Sequence, residues 1–175
     1  VVHELVVNSE CRIDMAFIEP MCIHGVEIKS SRDKLDRLEN QARVFGAHLP
    51  DTIVAVAPKW LDRHGYFAPP RGVTNWIICD GDHVSRGGYL SSARRDVTAQ
   101  MLHLLWADEA RAIAARRGLL FYRQLPLHTS VPLLARALTG DEIVREVCRE
   151  LRARDAFPRR PDHPASDAPI HEAAV

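Results

Sequence analysis

Long apolar runs are missing from this chain. No stretch approaches the roughly 20 consecutive apolar residues that a membrane-spanning helix needs, and no signal peptide is visible, so a soluble, cytoplasmic protein is expected. Net charge is missing too: 23 Lys and Arg balance 23 Asp and Glu. That excludes a protein coated in positive charge, so nucleic-acid binding has to rest on local patches. Cysteine is scarce. Cys11, Cys22, Cys79 and Cys148 are scattered without C-x-x-C spacing, which reads as free thiols in a reducing compartment. There is no internal repeat. There is also no initiating methionine, since the chain opens at Val1, and the natural start is expected to lie upstream.

What is present suffices for one domain with a real core. The 175 residues allow a single domain plus a small appendage. Val1–Val7 is short and apolar and reads either as a strand or as the end of a helix. Alternation then marks two strands, Arg12–Phe17 and Cys22–Lys29, around a turn at Glu19-Pro20. Ser30 or Ser31 is placed to cap the helix that follows. Leu35, Leu38, Ala42 and Phe45 form its buried stripe, and Gly46 ends it. Thr52–Ala57 and Asn75–Asp80 are continuous apolar runs, as expected of buried strands, and strand–helix–strand order implies a parallel crossover. The glycine-containing stretch Gly81–Ser91 reads as a surface loop. A long helix is expected from about Ser92 to Arg117, a break over Pro126–Pro132, then short helices over Leu133–Leu138 and Asp141–Arg154. The proline-rich end from Pro158 reads as disordered. The fold class is therefore α/β: a central mixed sheet of four or five strands flanked by helices, with a small C-terminal helical segment. The expected division is a core over 1–125, the helical segment over 126–157 and a tail over 158–175.

The stretch Arg12–Gln41 concentrates the chemistry. Asp14 sits mid-strand among apolar neighbours, where a lone carboxylate is costly to bury. The period of two puts Glu27 and Lys29 on one face of the second strand. If the strands pair around the turn, Asp14 lies beside Glu27, and two carboxylates next to an ammonium can form a divalent-metal site. The Ile28 carbonyl can add a third oxygen, and Lys29 can position a water or offset developing charge.

Arg12-Ile13-Asp14, Gly25-Val26-Glu27-Ile28-Lys29 and the helix from Asp33 to Gln41 together resemble the PD-(D/E)XK nuclease superfamily, in a small bacterial and phage branch. The family's signature is an Asp, a variable gap, then Glu-x-Lys on the next strand. Ile13 stands where the signature proline would be. The resemblance covers residues 1–60 well and extends more weakly to the stretch at Trp106-Ala107-Asp108-Glu109. It implies a restriction-endonuclease-like core and a Mg²⁺- or Mn²⁺-dependent deoxyribonuclease in repair, restriction or defence. Asp14 and Glu27 would bind metal and Lys29 would be the catalytic lysine. Glu4 matches an acidic residue that helps hold metal, and Gln41 matches a glutamine near the active site. DNA is the implied partner, and a homodimer if both strands are cut.

The rival reading is an inactive module of the same shape that binds DNA or protein; a third is a nuclease acting on RNA. Weaker signals have plain readings. Lys34 and Arg37 read as a solvated helix face that can touch phosphate. Arg94-Arg95 and Arg116-Arg117 read as solvating pairs, either able to meet a DNA backbone. His24 reads as a core histidine and Trp106 as core. Cys79, His83 and His64 lack the second pair that a zinc site needs.

Overall fold

In the computed structural model, residues 1–89, 96–119 and 125–154 are described. Arg94-Arg95, the expected helix start at Ser92 and the tail over 158–175 lie outside them. Six strands form one sheet in sequence order. β1 (Val2–Val7), β2 (Cys11–Glu19) and β3 (Cys22–Lys29) pair antiparallel. The chain then crosses through α1 (Leu38–His48) to β4 (Asp51–Val56), parallel to β3. Residues 57–74, which include a short 3-10 turn at Pro58–Trp60, lead to β5 (Asn75–Asp80), parallel to β4. β6 (His83–Tyr89) returns antiparallel.

The α/β class and mixed sheet agree with the sequence pattern, and several boundaries differ from it. The stretch expected to be a loop after Gly81 is strand β6. Its glycines are there because the Trp76 indole lies against the strand: a Cβ at Gly87 would stand 2.1 Å from that ring and one at Gly88 2.6 Å. The helix expected to start at Ser30 or Ser31 starts at Leu38. Ser30 does not cap it; its hydroxyl and backbone N–H both donate to Asp33 Oδ2, at 2.6 and 2.7 Å. That local turn competes with the first helical turns.

The expected long helix is broken into α2 (Thr98–Met101), a 3-10 turn and α3 (Ala107–Arg116). The extended backbone at Leu105 and Trp106 ends the first piece. The Trp106 N–H then donates to Glu109 Oε2 at 2.7 Å to start the next. Pro132 does not break the chain but sits inside α4 (Leu127–Ala137). α5 (Gly140–Ala153) follows, capped by Thr139 and Glu142 in a reciprocal pair of hydrogen bonds.

The main core is shared by every layer. Leu5, Ile13 and Ile23 of the sheet meet Phe45 of α1, Ile113 of α3, Leu134 of α4 and Leu151 of α5. A second cluster joins Leu38 and Ala42 of α1 to Val54, Val56 and Trp76, with Phe67 closing it from the 57–74 segment. On the other face of the sheet, Phe17 and Ile28 remain 42 % exposed. The four cysteines are free thiols. Among the described residues, no helix is long and apolar enough to cross a membrane.

Because α5 completes the core instead of decorating it, Leu151→Ala is expected to lower stability by about 2–5 kcal/mol in urea unfolding with a single transition. A loss below about 1 kcal/mol, or two separate transitions, would show α5 to be an independent appendage.

Candidate functional site

The polar side chains singled out by the sequence do gather where β3 faces α1. Alternation along β3 turns Glu27 and Lys29 toward the helix and Ile28 away from it. Glu27 is only 3 % exposed and Lys29 only 7 %. The Lys29 ammonium donates to Glu27 Oε1 at 2.6 Å and to Gln41 Oε1 at 3.0 Å. Gln41 Nε2 donates to the same Glu27 oxygen at 2.8 Å. Gln41 therefore acts as a bridge, accepting from the lysine and donating to the glutamate. Burial pushes the Glu27 carboxyl above its usual range, the Lys29 charge works against that push, and the nearby negative charge of Asp14 adds to it. Glu27 Oε2 is buried without a hydrogen-bond partner.

Asp14 is close enough for its charge to act on Glu27, and its hydrogen bond is to the backbone of β3. Its Oδ2 accepts the Ile28 backbone N–H at 2.7 Å, which braces the β2–β3 junction. Glu4 lies on β1 with a left-handed backbone, φ 53°, and pairs with Arg12 at 2.7 Å, both side chains about half exposed. The expected set of Asp14, Glu27, the Ile28 carbonyl and Glu4 is thus divided among three tasks. Among the described residues no group of three or more His, Cys, Asp or Glu side chains is placed to hold a metal ion. The engaged Glu27 oxygen already carries an ammonium and an amide, while its Oε2 has no partner.

Other residues also find partners. His24 Nδ1 lies 2.7 Å from Asp51 Oδ2, and its Nε2 lies 3.6 Å from Glu19, so it is a polar, half-buried histidine. Arg116 and Arg117 are not free to meet DNA. Both pair with Glu146 of α5, Arg116 also with Glu150 and Arg117 also with Glu142. Trp106 is stacked beneath Arg154, whose guanidinium carbon is 4.1 Å from the ring centroid. Arg154 also ion-pairs with Glu109.

The sequence reading passed over a second cluster. Two loops are stapled together beside the carboxyl ends of β3 and β4. Lys59 Nζ donates to Ser31 O at 2.7 Å, Trp60 Nε1 donates to Ser30 O at 2.9 Å, and the Ala57 N–H donates to Lys29 O at 2.9 Å. Arg32, Lys34 and Arg37 on one loop and Lys59 and Arg63 on the other are all exposed. Of the three acids in these loops, Asp36 is exposed, and Asp33 is consumed by Ser30, whose hydroxyl and amide hold its carboxyl below the usual range. Asp62 is consumed by the backbone N–H groups of His64 and Tyr66. The signal that could have found this ledge is the run Lys59-Trp60 followed by Arg63-His64-Gly65-Tyr66, basic residues interleaved with aromatics in one loop.

Comparison with known proteins bears on the choice between these two places. The family model for bacteriophage P4 protein cII matches residues 1–116. No curated protein and no solved structure matches the chain. The matched family is not a nuclease family, and this corrects the PD-(D/E)XK resemblance. The expectations of a DNA-cleaving enzyme and of a metal-binding site, which came from that resemblance, are corrected with it.

The Lys29–Glu27–Gln41 triangle makes a definite energetic claim. Lys29→Met leaves a buried carboxylate without its counter-charge and is expected to cost about 3–5 kcal/mol near neutral pH. The double variant Glu27→Leu/Lys29→Met should recover much of that loss. The deficit of the single variant should shrink as pH falls. A carboxyl whose folded pKa is raised holds its proton more tightly in the folded state, so acidification toward its ordinary value near 4.5 relieves the unpaired charge. Urea unfolding across pH 4.5–7.5 tests this, and a pH-independent deficit would contradict the assignment.

Proposed function

We propose a DNA-binding role without a cleavage step for this chain, which belongs to the bacteriophage P4 protein cII family. The observation that carries the reading is the exposed ledge of Arg32, Lys34, Arg37, Lys59 and Arg63 on two loops held together by side-chain hydrogen bonds. DNA carries a dense line of phosphates, and cations that neutralise them release condensed counterions. A ledge of this kind supplies that term locally although the chain as a whole is neutral. Two of the acids in these loops are tied into hydrogen bonds with their own loop, at Ser30 and at His64 and Tyr66. Both carboxylates are thus anchored to the backbone of their own loops. Rigid mounting matters as well, because cations fixed before binding lose less conformational freedom when they meet phosphate.

The Lys29 triangle supports the non-catalytic part. A lysine needed for phosphate chemistry has to present its ammonium to the ligand, whereas this one spends two donors on Glu27 and Gln41 and is almost wholly buried. Its place in the reading is structural: it holds the end of β3, from which the first basic loop departs.

Fluorescence anisotropy with labelled DNA tests the proposal. Binding should weaken with salt at a log–log slope of about −3 to −4, as expected for four or so phosphate contacts. Lys34→Glu/Arg37→Glu should flatten that slope by about 2 while leaving the melting temperature unchanged, since both side chains are exposed. Absence of binding at about 50 mM salt, or magnesium-dependent cutting of the labelled strand, would overturn the reading.

A further inference from the structure

We propose that the DNA held on this ledge is single-stranded, and that the loop carrying Arg63 and Tyr66 is the element that grips it, with the Tyr66 ring as the stacking face for an unpaired base. The inference rests on the DNA-binding reading and sharpens it.

Tyr66 is 48 % exposed, yet it is firmly mounted. The Asp62 carboxylate accepts the backbone N–H groups of both His64 and Tyr66, at 2.8 and 2.9 Å. The Asp62 N–H donates to Tyr66 O at 2.8 Å, and the Gly65 N–H donates to Asp62 O at 2.9 Å. Gly65 takes a left-handed conformation, φ 75°, which lets the loop close this tightly. Beneath it, the Tyr66 ring stands edge-to-face with Trp76, centroids 5.7 Å apart, and Trp76 is buried in the second core cluster. The phenol ring therefore packs against Trp76 while the residue stays about half exposed.

Arg63 and His64 are exposed on the same five-residue loop, and Arg63 Nε donates to His64 Nε2 at 3.0 Å. Along the chain the loop continues from Lys59, whose ammonium lies 4.3 Å from the Trp60 ring centroid. Cations alternating with rigid aromatics suit a strand that offers phosphates on one side and bare base faces on the other. A duplex hides its base faces in the stack and offers only phosphates and groove edges. An arrangement built for duplex backbone alone gains nothing from an open, braced phenol ring, whereas an unpaired strand can use both features.

The test compares a 12-nucleotide oligothymidine, the same strand with abasic sites, a duplex of equal length, and the RNA strand of equal sequence. Affinity for the thymidine strand should exceed that for the abasic strand and the duplex by about ten-fold or more. Tyr66→Leu keeps an apolar cover over Trp76 but removes the aromatic face. It should lose about ten- to one-hundred-fold on the thymidine strand and little on the duplex, with an unchanged melting temperature. Tyr66→Phe should bind as the parent does. Equal binding of thymidine and abasic strands, full binding by Tyr66→Leu, or tighter binding of RNA overturns this inference. If the duplex still binds with the expected salt dependence, the DNA-binding reading survives that failure. If no nucleic acid binds, both fall together.

Discussion

The structure depends on the burial of one ammonium group. Lys29 sits at the end of β3 under α1, where an unpaired charge would be prohibitive. It is tolerable because Glu27, two residues earlier on the same face, supplies the counter-charge and Gln41 bridges the two. The partners come from one strand and one helix, so the triangle fixes how α1 lies across the sheet. It also leaves a residual cost: one glutamate oxygen has no partner, and burial pushes the carboxyl upward.

Around this polar point the apolar layers divide. Toward β1, the core is built by helices that come late in the sequence, with α4 and α5 packing against strands formed at its start. The Arg116–Arg117 pair and the acids of α5 then clasp α3 to α5. Toward β5, the 57–74 segment closes over α1 and Trp76, and the basic, aromatic loop is the outer side of that closure. The ledge and the core beneath it are thus one construction: Trp76 is buried by Phe67 and topped by Tyr66. Burial of a large aromatic stabilises the fold and presents an open ring to solvent at the same time.

Several features were legible before any coordinates. The alternation in β2 and β3 placed Glu27 and Lys29 on a common face, and the helical spacing of Leu38, Ala42 and Phe45 gave α1 its buried side. The apolar runs at β4 and β5 gave a parallel crossover. Reading function from the same residues failed for a physical reason. A strand pattern says which side chains share a face but not which of them will neutralise one another. Asp14, Glu27 and Lys29 at that spacing suit a metal site as well as an internal ion pair. The burial of Glu27 and Lys29 against each other and the hydrogen bond from the Ile28 amide to Asp14 are products of folding, and neither is written in a spacing. The family match points the same way.

Local sequence determined what local forces control. Strand periodicity, the glycines at 87 and 88 and the Thr139–Glu142 cap each act within a few residues or across one hairpin, and the sequence alone carries those signals or their raw material. Tertiary structure decided what depends on distant partners. Ser30 turned to Asp33 instead of starting a helix, and Arg116 and Arg117 were spent on α5. Loops at 30–37 and 57–66 became one basic surface because Lys59 and Trp60 found the carbonyls of Ser31 and Ser30. Charge and hydrogen-bond pairing across the fold is chosen by proximity after folding, and a linear sequence does not contain proximity.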